Sequence, residues 1–167
     1  MKSIKYFVQF LIISILFLIF KILGLNLASY LSGKIVSFVG PYFRSKELIK
    51  SNILKALPNL KHSEIKKISS QMWNNYGRIL AEYVFIKNFR KFKLKNNIEI
   101  KGQEILERIK KTNEPVIFVS GHFNNFELMA MQIEMSDINL AAVYRPLNNK
   151  FLNYIMEKIR KKYICKN

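Results

Sequence analysis

The sequence predicts an α/β protein carried behind an N-terminal transmembrane helix. Three observations lead there. Residues 4–23 form an apolar run whose only charges, Lys5 and Lys21, sit near its ends. Two short apolar runs, 116–120 with its β-branched residues and 138–144, each stop at polar residues. Segments with apolar residues every third or fourth position precede, separate and follow those runs, and strands alternating with helices argue a mainly parallel sheet.

The N-terminal run is just long enough to cross a bilayer core, which takes about 20 residues of helix. Its end lysines can snorkel to the head groups. A cleaved leader is the competing reading, because Lys2 and Lys5 make a basic start. Its best cut would follow Ala28 and leave Asn26 where a small side chain is wanted, so retention is the expectation. Lys34, Arg44, Lys46, Lys50 and Lys55 follow the span against Lys2 and Lys5 before it, which predicts a single pass with the C-terminal side in the cytoplasm. Residues 1–24 are thus read as a membrane anchor and 25–44 as an apolar membrane-proximal or interfacial segment, with Gly33, Gly40 and Pro41 as breaks.

Residues 45–167 are read as the catalytic domain. Ser45 caps a helix over 46–57, with Ile49, Ile53, Leu54 and Leu57 on one face and Pro58 as its stop. Ser63 opens a longer helix over 64–87, on which Trp73 reads as a core aromatic and Glu82 as a solvated carboxylate. His62 reads as a surface histidine. Ile98 and Ile100 alternate with Glu99 and Lys101, as in a half-exposed strand. A helix over 103–111 follows, then a turn at 112–115, the buried strand 116–120, a helix over 125–135, the strand 138–144 and a basic amphipathic helix over 151–162.

The chain has 167 residues, half of them hydrophobic, and a formal charge of +17. That charge favours anionic partners such as lipid head groups, phosphorylated substrates, acidic proteins or nucleic acid. The abundant Lys, Asn, Ile, Phe and Tyr are also the residues of A+T-rich codons, so charge alone assigns no partner. The basic residues are spread along the chain, not clustered with stacking aromatics on one element, which argues against nucleic acid. A single cysteine, Cys165, supports neither a disulfide framework nor a Cys-based zinc site. One histidine near scattered carboxylates makes no metal site, and no Walker loop, dinucleotide-binding glycine pattern or nucleophile elbow is present.

The chemistry gathers at the strand ends, where open α/β sheets place their sites. One strand ends in Ser120-Gly121-His122 and the other in Arg145. A histidine in the turn, with Glu127 at the start of the next helix, lets the carboxylate fix one ring nitrogen and leaves the other as a general base. Ser120 lies too close in sequence to His122 to be its triad nucleophile. The base is therefore expected to act on a hydroxyl of a second substrate, with the first amides of the following helix near a developing oxyanion.

His122-x-x-x-x-Glu127 resembles the H-x4-D/E motif of the glycerolipid and lipid A acyltransferases. The surrounding Ser120-Gly121-His122-Phe123-Asn124-Asn125-Phe126-Glu127 is similar to the His-Phe-Gly-Asn-Trp-Glu form of the bacterial lipid A late acyltransferases. Val143-Tyr144-Arg145-Pro146-Leu147-Asn148-Asn149 resembles that family's Tyr-Arg-Pro-Leu-Asp-Asn block, followed by a helix ending in Arg160. Residues 52–60 and 77–82 resemble its N-terminal region. Asn124 stands where the family has Gly, and Asn is the residue other than Gly that best tolerates a left-handed turn. Phe126 stands for the usual Trp, and Asn148 for an acidic residue.

The resemblance implies transfer of a fatty acyl chain from acyl carrier protein to a hydroxyl of a lipid A precursor at the bacterial inner membrane. His122 and Glu127 would be catalytic, and Arg145, Asn149, Arg160 and Asn125 would bind substrate. No metal and no cofactor is implied beyond the acyl-carrier co-substrate. The partners would be acyl carrier protein, an anionic lipid and the membrane, with no nucleic acid. The family domain is longer than this chain, so the sheet is expected to be incomplete and the catalytic domain truncated at its C-terminus. The alternatives are an acyltransferase for another hydroxy- or lysophospholipid, and an inactive membrane-bound fragment.

Overall fold

The computed structural model describes residues 2–91 and 93–165. In chain order the helices are α1 (Lys2–Leu23), α2 (Leu25–Val39), α3 (Lys46–Ala56), α4 (His62–Glu82), α5 (Ile86–Arg90), α6 (Gln103–Thr112), α7 (Glu127–Met135) and α8 (Lys150–Tyr163). Short 3-10 turns lie at Gly40–Tyr42, Tyr83–Phe85 and Lys95–Asn97. The chain divides into two units, residues 19–84 and residues 1–18 together with 85–167.

The α/β reading is overturned: among the described residues there is no strand and no sheet. Residues 116–120 and 138–144 are irregular. A strand exists only where a neighbour about 4.8 Å away takes up its N–H and C=O groups, and the described residues supply none. The run expected to be buried is open to solvent, with Ile117 92% and Val119 90% exposed. The alternating 98–101 segment is likewise irregular, held between a 3-10 turn and Gly102. Strand propensity is a preference for packing against neighbouring strands, and here it has nothing to act on.

The helical expectations fared differently. α3 starts where Ser45 Oγ accepts the Leu48 amide at 3.2 Å, and it ends before Pro58. α4 begins two residues earlier than expected, at His62, and ends at Glu82 instead of continuing to 87. Glu64 reaches back to accept the Lys61 amide at 2.7 Å, so Ser63 is not its cap.

In the unit of residues 19–84, α2 packs along α4 through small residues. Gly33 lies inside α2 and does not break it. Ser32 Oγ donates to the Gly77 carbonyl at 2.7 Å, Ser37 Oγ to that of Ser70 at 3.2 Å, and Ser29 Oγ to Glu82 Oε1 at 3.2 Å. A Cβ on Gly77 would overlap the Ser32 carbonyl, and one on Gly40 would overlap the Trp73 indole. Ala28 and Ala81 are completely buried. Glu82 is thus bonded to another helix, not simply solvated, and Trp73 takes the packing role expected of it.

In the other unit Arg90 ties α5 to α7 and α8. It pairs with Glu134, and its Nη1 donates to the Tyr163 carbonyl at 3.3 Å. Ile86, Phe89, Met131, Ile133 and Ile164 are buried. Cys165 is buried too, its thiol donating to the Leu140 carbonyl at 2.7 Å. That bond fixes the irregular 138–147 segment beside the end of α8.

Candidate active site

His122 sits in the irregular segment just before α7, and its side chain is exposed. Asn124 has φ 46°, the left-handed turn that this position was expected to need. The turn brings the His122 ring edge-on to Phe126, with centroids 4.4 Å apart and planes at 69°. Asn125 and Phe126 then start the helix: the Asn125 carbonyl accepts the Leu128 amide at 3.0 Å, and that of Phe126 accepts the Met129 amide at 3.1 Å. Asn125 is itself buried.

Glu127 is the first residue of α7 and is 6% exposed. A carboxylate there is favoured by the helix dipole. Its partner is Arg160 in the last turn of α8. Arg160 Nε and Nη2 both donate to Glu127 Oε1, at 2.9 and 2.5 Å. Charge-assisted pairs of this kind are short and strong, and they offset the cost of burying the carboxylate. Among the described residues no hydrogen bond joins Glu127 to His122. Oε1 is the oxygen that both guanidinium nitrogens reach.

Arg160 is also bound on its face. Its Cζ lies 4.9 Å from the centroid of the Tyr144 ring. The Tyr144 hydroxyl donates to Glu157 Oε1 at 3.0 Å, and Asn153 Nδ2 donates to the same oxygen at 2.8 Å. Asn153 Oδ1 in turn accepts the Leu147 amide at 2.8 Å. The Glu157 hydrogen bond, with desolvation and the Glu157 charge, raises the Tyr144 pKa above 10.0, while the Arg160 charge opposes it. The chain Glu127–Arg160–Tyr144–Glu157–Asn153–Leu147 therefore joins the His122-x4-Glu127 segment to the Tyr144-Arg145-Pro146-Leu147 block.

Arg145 is exposed between these groups and takes no ion-pair partner among the described residues. Asn149 has a structural duty. Its Oδ1 caps α8 by accepting the Phe151 and Leu152 amides at 3.1 and 3.3 Å. Its Nδ2 donates to the Tyr6 carbonyl at 2.9 Å and to Gln9 Oε1 at 3.3 Å.

Tyr144, Asn153 and Glu157 were not singled out from the sequence as site residues. The available signal was the i, i+3 and i, i+4 spacing that sets Glu157 beside Arg160 and Asn153 on α8. Among the described residues no group of three or more His, Cys, Asp or Glu comes together to hold a metal ion. A surface cleft of about 520 Å³ on α3, lined by Glu47, Lys50, Ser51, Leu54 and Lys55, includes none of the candidate residues.

The model of the family "Bacterial lipid A biosynthesis acyltransferase" matches residues 1–165. The lipid A biosynthesis myristoyltransferase of Escherichia coli K12 is 22% identical over 131 residues, 78% of this chain and 40% of that protein. Lipid A biosynthesis acyltransferase 1 of Shigella flexneri matches at the same identity over the same shares. The chain thus spans 40% of the length of these relatives. No solved structure matches significantly. With nearly its whole length matched, and with the two motif segments joined through Arg160, the chain belongs to the bacterial lipid A biosynthesis acyltransferase family.

Proposed function

We propose that the chain acts in acyl transfer to lipid A at the cytoplasmic face of a bacterial inner membrane. The acyl donor is acyl carrier protein, and the acceptor is a hydroxyl of a lipid A precursor. His122 takes the hydroxyl proton as the oxygen attacks the thioester carbonyl. The C–O ester bond forms, the C–S bond breaks, and the imidazolium returns the proton to the leaving thiolate. Transfer is direct, with no acyl-enzyme and no metal or cofactor in the reaction. Glu127 orients His122 through Oε2 while Arg160 holds Oε1, and Arg145 binds a phosphate of the acceptor or of the carrier's prosthetic arm.

The observation that supports this reading best is the position of Arg160, bound at once to Glu127 and to Tyr144. It links the carboxylate of the histidine motif to the arginine-bearing block through one connected set of side chains. A general base contributes about 10²–10⁴ in rate. Membranes containing the chain, given labelled acyl-acyl carrier protein and a tetraacylated lipid A precursor, are expected to lose transfer by that factor in His122→Ala. Equal transfer by wild-type and His122→Ala membranes would remove the enzymatic role.

A further inference from the structure

Tyr144, Arg145, Pro146 and Leu147 have no regular secondary structure, yet both ends of this segment are tied to α8. At one end the Tyr144 hydroxyl donates to Glu157 Oε1 at 3.0 Å, and the Tyr144 ring lies against the Arg160 guanidinium. At the other end the Leu147 amide donates to Asn153 Oδ1 at 2.8 Å. The two ties are one device, because Asn153 Nδ2 donates to the same Glu157 oxygen at 2.8 Å. Asn153 and Glu157 stand at i and i+4, so α8 presents them side by side. Pro146 adds a further constraint. Its ring fixes its own φ and holds the preceding residue, Arg145, out of the helical region.

Arg145 lies between the ties, exposed and with no carboxylate paired to it among the described residues. An irregular segment pinned on both sides of such a guanidinium is preorganised for an anion, because its ordering is complete before the ligand arrives. We infer that Asn153 and Glu157 are positioning residues for an anion site at Arg145, holding the 144–147 segment in the form that offers the guanidinium fork to a phosphate. This rests on the phosphate-binding role proposed above for Arg145, and it makes that role depend on two side chains that act through the segment. Glu157 allows a test by sign. Acting by charge alone, its carboxylate would repel phosphate, and removing it would tighten binding. Acting by position, its removal frees the segment to sample other forms, and affinity falls with the fraction of the competent one.

The detergent-solubilised full chain, with 15N-labelled arginine, is titrated with inorganic phosphate while the arginine Nε signals are followed. The Arg145 signal is identified by its absence in Arg145→Lys. In the wild type that signal is expected to shift saturably. Glu157→Leu and Asn153→Ala are each expected to weaken phosphate binding at Arg145 about tenfold, the scale of one hydrogen bond to a charged group. Tyr144→Phe removes a single oxygen and leaves the ring against Arg160, and a several-fold loss is expected there. Unchanged or tighter binding in Glu157→Leu overturns the inference, as does a wild-type Arg145 signal that ignores phosphate. Should Glu157→Leu fail to fold, Tyr144→Phe decides, and unchanged affinity in it overturns the inference equally. The acyl-transfer reading fails by a different result: equal transfer by wild-type and His122→Ala membranes removes the reaction and leaves the phosphate titration standing.

Discussion

Arg160 carries more of the candidate site than its place near the end of a basic helix suggests. Its guanidinium is the charge that makes a buried Glu127 tolerable, so its loss leaves a carboxylate with no compensating cation. Removing one partner of such a pair costs about 3–5 kcal/mol. Arg160→Met is therefore expected to lower the unfolding free energy of the detergent-solubilised protein by that order. Glu127→Gln added to it should restore part of the loss, because the neutral amide no longer needs the cation. A loss below about 1 kcal/mol in Arg160→Met would place the pair with exposed surface bridges instead. Tyr144 gives a second readout at this scale. Its raised pKa means that folding favours the protonated phenol, so the linked stability is fully present below 10.0 and is lost as pH rises through the folded value. Glu157→Gln removes the largest cause, and the phenolate absorbance of Tyr144 is expected to appear at lower pH. Much at this scale was legible in the sequence: the His122-x4-Glu127 spacing and the left-handed turn at Asn124 are local. The partner of Glu127 was not, because a contact across 33 positions depends on how α7 and α8 pack.

Among the elements, the helices were read well and the strands were not, and the reason is physical. A helix satisfies its own backbone and announces its ends locally, as Ser45 and Pro58 do for α3. A strand is a property of a pair. Residues 116–120 and 138–144 have the composition of strands, but composition does not supply a neighbour. The same contrast explains α2, where Gly33 looked like a break and instead lets α4 approach. Gly77→Ala tests that close approach. The added methyl would meet the Ser32 carbonyl, a backbone atom that cannot swing aside, so the cost falls toward the upper end of the roughly 1–3 kcal/mol typical of overpacking. Thermal unfolding in detergent is expected to show a larger drop for Gly77→Ala than for Gly24→Ala, where nothing lies within 4 Å of a Cβ. Gly24 does have φ 76°, so any loss at that position reports backbone strain and not packing.

For the molecule as a whole, α1 and the basic surface are two attachments of different physical kind. Lysines facing anionic head groups act through charges that salt screens within about 10 Å at 0.1 M. The apolar surface of α1 acts through removal of hydrocarbon from water and is indifferent to salt. Full-length protein is therefore expected to stay with anionic vesicles when salt is raised to 1 M. A form lacking residues 2–23 should bind them only at low salt. That deletion has a second consequence, which a detachable anchor would not share. It takes from Asn149 the Tyr6 carbonyl and Gln9, and from Phe151 the rings of Phe7 and Phe10. The start of α8, which carries Arg160 at its other end, loses the contacts that hold it. Limited proteolysis of the deleted form is expected to cut near residues 147–153 at rates well above those of the full chain. An unchanged cleavage pattern would mean that α1 holds the protein to the membrane without holding α8 in place.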